Sequence, residues 1–211
     1  MDVDVHIPKI GKTAVHWLLE GFFIVVSVGL GFGVAQYRES RANHELAGRV
    51  LKSLQAEVEH NLETLTPLVP IHRAWVTALE KADVSKSNQS GLDLYFDTRP
   101  KLPDGAKSSF AFLRRSAWDA AISGGTLRLI DFDVASALSD IYVTQEIATR
   151  NVERLVNGPF SSTATFDPAS RAASARMLWL TMADIQSSEQ ILIDLYRRHL
   201  PAIRAAANEA R

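Results

Sequence analysis

The chain is organised around one stretch, Trp17-Leu-Leu-Glu20-Gly-Phe-Phe-Ile-Val-Val-Ser-Val-Gly-Leu-Gly-Phe-Gly-Val-Ala-Gln-Tyr37-Arg38. No charged residue occurs from Gly21 to Tyr37. A helix over the 21 residues 17–37 would be roughly 31 Å long, which is about the thickness of the hydrocarbon layer of a bilayer. Trp17 and Tyr37 bracket the stretch, as aromatic side chains do at membrane interfaces. The sequence therefore predicts a transmembrane helix over residues 17–37, preceded by an N-terminal tail over residues 1–16.

Two other interpretations of this stretch remain open. A cleaved signal peptide would use Lys9 and Lys12 as its basic region and Gly33-Val34-Ala35 as its cleavage site. Glu20 fits the apolar core of a signal peptide poorly, and the apolar stretch is long for one. A buried core helix is the other interpretation, but the chain that follows is amphipathic and does not need a wholly apolar helix at its centre.

Small residues form two rows on the predicted membrane helix. Gly29 and Gly33 make one row, and Ser27, Gly31 and Ala35 make the other at the same spacing of four. Small side chains allow a second helix to approach closely in lipid, so either row favours helix pairing. These residues are the candidate membrane-helix packing residues.

The charges that flank the stretch leave its orientation undecided. Glu20 lies beside Trp17, which favours a solvated interfacial carboxylate over a functional carboxylate within the membrane. The count of basic residues close to the stretch favours an internal C-terminal domain. Short N-terminal anchors often run the other way, so the side of the membrane stays open. The flanking basic residues are Lys9 and Lys12 before the stretch, and Arg38, Arg41, Arg49 and Lys52 after it.

Composition limits the classes of function. The 211 residues suit one domain, or one domain with an anchor, and 46% of them are apolar against 22% charged. A net charge of −1 argues against a nucleic-acid-binding protein, which would normally carry a basic face. The chain has no Cys, which excludes disulfides, thiolate metal sites and a Cys nucleophile.

The chain after residue 37 has the spacing of amphipathic helices. Residues 38–83 predict one long helix that continues the membrane helix and is kinked or interrupted near Pro67 and Pro70. Its apolar residues recur at spacings that are mostly three and four: Leu46, Val50, Leu51, Leu54, Val58, Leu62 and Leu65. Gly, Pro, Ser and Asn then predict a long loop over residues 84–108.

Start and stop signals divide the remaining chain, residues 109–211, into a helical bundle. A helix is expected to begin at Ser108 or Ser109 and to end at Gly124-Gly125, and Asp131 or Asp133 opens the next. Further signals are Asn157-Gly158-Pro159 as a stop, Asp167-Pro168 as a start, and Pro201 as a kink or end. No stretch alternates in the manner of a strand. The predicted fold is all-α, with one transmembrane helix continuing into a soluble bundle of four or five helices.

Motifs for chemistry are weak throughout. Glu57-Val-Glu-His60 is an E-x-x-H, but a di-iron site needs two such motifs, so these side chains are interpreted as a solvated face. Gly124-Gly125-Thr126 lacks the Lys of a phosphate-binding loop and is interpreted as a helix-ending turn. Ser109, Ser116 and Ser123 stand in no nucleophile motif. The sequence therefore predicts no catalytic residue, no metal ligand and no cofactor.

One group of residues could line a polar pocket with aromatic walls. Arg114, Arg115, Trp118, Asp119, Tyr142 and Gln145 lie on two consecutive predicted helices joined by a short turn, so they could converge. The alternative is structural, with Trp118 and Tyr142 in the core and the polar side chains closing hydrogen bonds. The structural interpretation is favoured.

The chain resembles a group of uncharacterised bacterial single-pass membrane proteins with a helical domain of unknown function. Two segments carry the resemblance. The first has Glu20, the glycines 29–33, Gln36, Arg38-Glu39 and Arg41, followed by Leu51, Leu54, Glu57 and Asn61. The second has Ser116-Ala-Trp118-Asp-Ala-Ala-Ile-Ser-Gly124 and Ile141-Tyr142-Val-Thr-Gln145. The resemblance implies the architecture and a location in the bacterial inner membrane, and it implies no activity.

These features favour a non-enzymatic, membrane-anchored helical protein that acts through protein contacts. It would be a scaffold, an assembly factor or an accessory subunit, with the lipid bilayer and either a second copy or another membrane protein as partners. The alternative is a sensory or small-ligand-binding module that uses the Trp118 and Tyr142 region and the 84–108 loop. A closed cluster at Trp118 would favour the first hypothesis, and an open polar cleft would favour the second.

Overall fold

The computed structural model describes residues 12–85, 89–102, 108–158 and 161–209. These ranges contain six α-helices and no strand. The helices are α1 (Lys12–Leu65), α2 (Val69–Glu80), α3 (Gly91–Thr98), α4 (Ser116–Ser123), α5 (Phe132–Asn157) and α6 (Arg171–Glu209). Contacts divide the chain into two units, with the boundary between Glu45 and Leu46. The prediction of an all-α fold is confirmed.

The first unit contains the apolar part of α1. Helical backbone begins at Lys12, before the expected start at Trp17, and most of the expected tail, residues 1–11, lies outside the described residues. The most apolar window of 18 residues has a mean hydropathy of 1.6, and none of it is buried within the protein. This helix is long and apolar enough to cross a membrane.

The prolines at 67 and 70 interrupt the helix in the second unit, as predicted. Helix α1 ends at Leu65, and α2 begins at Val69 with Pro70 in its first turn. Proline lacks a backbone N–H, so it is tolerated in a first turn, where that donor has no partner within the helix. His72, Trp75 and Leu79 on α2 are buried.

The predicted loop over residues 84–108 is wrong in its middle, where the chain forms α3. Ser90 caps this helix, accepting from the Asp93 N–H, while the Asp93 carboxylate accepts from the Ser90 N–H. Leu94 is buried, and Tyr95 packs on Trp75 with ring centroids 4.9 Å apart. Residues 86–88 and 103–107 of this range lie outside the described residues.

The expected helix start at Ser108 or Ser109 is also wrong. Helix α4 begins only at Ser116, and residues 108–115 are not helical. Hydrogen bonds from elsewhere explain the difference, because the N–H and C=O of Arg114 are both taken by the side chain of Asn61. Tertiary contacts therefore override the helical spacing of this segment.

Three other predicted boundaries are confirmed. Gly124 follows the last residue of α4, and Gly125 adopts the left-handed conformation with φ of 61°. The Asp131 side chain caps α5 by accepting from the N–H groups of Asp133 and Val134. Helix α5 then ends at Asn157, and Pro159 from the predicted stop signal lies outside the described residues.

The last helix begins at Arg171, three residues after the expected first position at Pro168, and it does not end at Pro201. Asp167 caps a short 3₁₀ turn, Pro168–Ser170, which leads into α6. Pro201 lies inside α6, although it removes one backbone hydrogen bond. Leu200, Ile203 and Ala207 are buried around it, so core packing holds the helix together.

The core of the second unit consists of two clusters. The larger joins α1, α4, α5 and α6 around Leu54, Leu138, Ile141 and Tyr196. The smaller surrounds Trp75 on α2, with Leu178 and Met182 of α6 among its members. The candidate functional site lies in the larger cluster.

Candidate functional site

A buried carboxylate, Glu57 on α1, is the centre of the polar interior. Its side chain is 5% exposed, so the interpretation of Glu57 as part of a solvated face is wrong. Its Oε2 accepts from the Ala117 N–H at 2.9 Å and from the Ser116 hydroxyl at 3.0 Å. Its Oε1 accepts from the Tyr142 hydroxyl at 2.6 Å and from the Trp118 N–H at 3.3 Å. Four donors therefore stabilise one carboxylate in the core.

Glu57 caps α4 from a different helix. Arg115, the N-cap residue of α4, makes no capping hydrogen bond with its own side chain. The first N–H groups of a helix have no partner within the helix, and a negative charge near them is favourable. Glu57 supplies both the acceptor and the charge, and so fixes α4 against α1.

Asn61, one turn after Glu57, binds the chain just before α4. Its Nδ2 donates to the Arg114 carbonyl at 2.8 Å, and its Oδ1 accepts from the Arg114 N–H at 2.8 Å. Gln145 on α5 donates to the same carbonyl at 2.8 Å. The Gln145 Oε1 in turn accepts from the Tyr196 hydroxyl at 2.9 Å. This network joins α1, α5 and α6 to the segment before α4.

Trp118 and Tyr142 close the network on one side. Their rings stack with centroids 4.7 Å apart and planes 10° from parallel, and the side chains are 7% and 3% exposed. Burial raises the pKa of Tyr142 far above its usual value of 10, and the hydrogen bond to Glu57 acts in the same direction. Tyr142 therefore stays protonated and remains a donor to Glu57.

The residues predicted to line a polar pocket are only partly brought together. Trp118, Tyr142 and Gln145 meet in the buried network, and Arg114 joins it through its backbone, while its side chain is exposed. Asp119 is exposed and pairs with Arg115 at 3.1 Å. Gln145 also lines a surface cavity of about 270 Å³ with Arg115 and Arg150. A ligand-binding role for this group stays a prediction.

A second buried polar pair lies away from Glu57. The Nδ1 of His72 is 2.6 Å from the Glu189 Oε2, and both side chains are buried. The Nε2 of His72 is 2.7 Å from the Ser109 carbonyl oxygen. A carbonyl only accepts, so Nε2 carries a hydrogen. The pair holds the segment at residue 109 against α2 and α6.

Comparison with other proteins gives no family for this chain. No protein-family model, curated protein or solved structure matches it. The resemblance of the chain to the bacterial single-pass group stays a prediction.

The two segments that carry this resemblance meet in the structure. Glu57 of the first segment accepts hydrogen bonds from the start of α4 and from Tyr142, which both belong to the second segment. Asn61 of the first segment donates to Gln145 of the second.

Helical spacing is a signal that could have placed Glu57 inside, because it lies three residues after Leu54 and four before Asn61, which are both fully buried. For His72 and Glu189, which are 117 positions apart, no comparable local signal exists. Among the described residues, no group of three or more His, Asp or Glu side chains could hold a metal ion.

Proposed function

We propose that the chain is a membrane-anchored helical protein that acts through protein contacts and catalyses no reaction. It serves as a scaffold, an assembly factor or an accessory subunit in a bacterial inner membrane. The first unit anchors it and pairs with another helix in the bilayer, and the second unit is a rigid helical body that partners recognise.

The observation that carries this proposal is the uncovered apolar surface of α1. Phe22 is 62% exposed, Val25 71% and Phe32 71%. An apolar surface of this extent is unstable in water, and a lipid bilayer covers it along its whole length. Trp17 and Tyr37, both 67% exposed, bracket this apolar surface, and aromatic side chains of membrane helices favour the two interfaces.

The closed interior of the second unit supports a structural role over a ligand site at Trp118 and Tyr142. The polar groups of Glu57, Asn61 and Gln145 are taken up by hydrogen bonds within the protein. The stacked rings leave little surface for a ligand, since both are more than nine-tenths buried. A buried hydrogen-bonded network of this kind fixes how helices pack.

The two rows of small residues support pairing of the membrane helix. Ser27 and Ala35 are exposed, and a Cβ atom added at Gly29, Gly31 or Gly33 would meet nothing within 4 Å. Gly31 lies about 200° around the helix from Gly29, so the two rows occupy opposite faces. Each row offers a second helix a backbone that it can approach closely.

Replacing Gly29 or Gly33 with isoleucine is expected to reduce self-association of the membrane helix to the level of a non-associating control. Isoleucine puts a branched side chain where the second backbone would lie, and insertion is unaffected because isoleucine is more apolar than glycine. The assay is a membrane-based dimerisation reporter fused to residues 13–42, with insertion measured in parallel.

Leu30→Ile is the matched control. Leu30 lies between the two rows, and the substitution conserves the size and polarity of the side chain. Gly31→Ile tests the second row separately. Wild-type association by all three glycine variants would contradict pairing through the glycines and would move any self-association to the soluble helices.

A further inference from the structure

A cavity of about 360 Å³ lies within the second unit, away from the Glu57 network. It is bordered by the non-helical segment 108–113, the end of α1 and one side of α5. Its volume is within the usual range of small-molecule sites. Phe110, Ala148 and Val152 are among the apolar residues of its walls.

A buried carboxylate, Glu189 on α6, also lines this cavity. The residue is 3% exposed, and its Oε2 is 2.6 Å from the Nδ1 of His72. The Nε2 of His72 is held by the Ser109 carbonyl, so the imidazole and the carboxylate are fixed in place. Among the described residues, Glu189 uses only Oε2 for hydrogen bonding. Since Oε2 is held by His72, Oε1 is the oxygen of this lining residue that can accept from a ligand.

The charges around the cavity select the class of ligand. Glu153 on α5 is exposed and supplies a second carboxylate to the lining. The lining contains no Lys or Arg within the part of the chain that the structure describes. One proton lies between the His72 Nδ1 and the Glu189 Oε2, so the imidazole offsets the charge of Glu189. Glu189 Oε1 and the Glu153 carboxylate are nevertheless acceptors, which disfavours an anion and favours a cation with hydrogen-bond donors.

We propose that this cavity binds a small amine with an apolar body. The ammonium group donates to the Glu189 Oε1, and the apolar body packs against Phe110 and Val152. This site differs from the predicted pocket at Trp118 and Tyr142, and it does not depend on how the protein associates in the membrane.

A matched pair of fluorinated probes tests the site by ¹⁹F NMR titration. The probes are 4-(trifluoromethyl)benzylamine and 4-(trifluoromethyl)benzoate, which share an apolar body and differ in charge. The full-length protein is held in lipid nanodiscs, and empty nanodiscs correct for partition into lipid. We expect saturable binding of the amine and binding of the benzoate at least about tenfold weaker, since a hydrogen bond to a charged group is involved.

Three variants locate the binding. Glu189→Gln keeps the shape of the side chain and removes its charge, so amine affinity should fall about tenfold. Val152→Phe fills the cavity and should abolish saturable binding. This variant tests the site independently if Glu189→Gln does not fold. Asp194→Asn is the matched control, because Asp194 is an exposed carboxylate on the same helix that binds Gln190 instead.

The proposal is overturned by any of three results. The first is no saturable binding of the amine to the wild-type protein. The second is equal or tighter binding of the benzoate, which would assign the cavity to an anion such as a fatty acid. The third is unchanged amine affinity in Val152→Phe.

Discussion

Replacing Trp118 with alanine is expected to lower the free energy of unfolding of the second unit by roughly 3–5 kcal/mol. The side chain is 7% exposed, stacks on Tyr142 and belongs to the larger core cluster, so its loss leaves a cavity that the surrounding helices cannot easily fill. For a unit of this size, the melting temperature should fall by on the order of 10 °C. Near-UV circular dichroism of the full-length protein in nanodiscs measures this transition.

Phe132→Ala is the control, because Phe132 is 81% exposed. Its substitution should change the free energy of unfolding by less than about 0.5 kcal/mol. A Trp118→Ala protein that melts as the wild type does, yet loses binding to a small ligand, would favour the predicted pocket over a structural role.

Replacing Glu57 with alanine is expected to lower the free energy of unfolding of the second unit by roughly 3 kcal/mol or more. The change leaves the N–H groups of Ala117 and Trp118 and the hydroxyl of Tyr142 without their acceptor inside the core. It also removes the negative charge at the start of α4. The same melting measurement should show a large loss of stability, and α4 should become the most easily opened helix in hydrogen exchange.

Two comparisons separate this effect from a general loss of charge. Glu59→Ala removes a partly exposed carboxylate from the same helix. The ion pair of Glu59 with Arg204 contributes at most about 1 kcal/mol to the free energy of unfolding. In a double-mutant cycle, Tyr142→Phe should be less damaging in the Glu57→Ala background than in the wild type. Additive effects of Glu57→Ala and Tyr142→Phe would contradict the network.

Local signals predicted most of the helix boundaries. Pro67 and Pro70, Gly125, Asp131 and Asp167 act within their own turn of the chain, so their effect is readable from neighbouring residues. The errors lie where distant contacts decide. The segment before Ser116 has helical spacing but is bound by Asn61. Helix α6 continues through the exposed Pro201 because its neighbours Leu200 and Ile203 are packed in the core.

The candidate site was predictable only in part. Aromatic and amide side chains on consecutive predicted helices indicate that Trp118, Tyr142 and Gln145 converge, and the three side chains do meet. The sequence predicts a solvated face for Glu57, because its E-x-x-H motif has no second copy with which to form a buried metal site. Its partners are 59 to 85 positions away, so no local pattern could name them.

We propose that residues 17–37 cross the membrane and stay attached to the helical second unit. Carbonate extraction of bacterial membranes tests it, with the protein tagged at its C-terminus and its N-terminus determined by sequencing. The protein should stay in the carbonate-resistant pellet with the apolar stretch intact. Recovery of a soluble form that begins at Gln36, or release of the intact chain by carbonate, would contradict it.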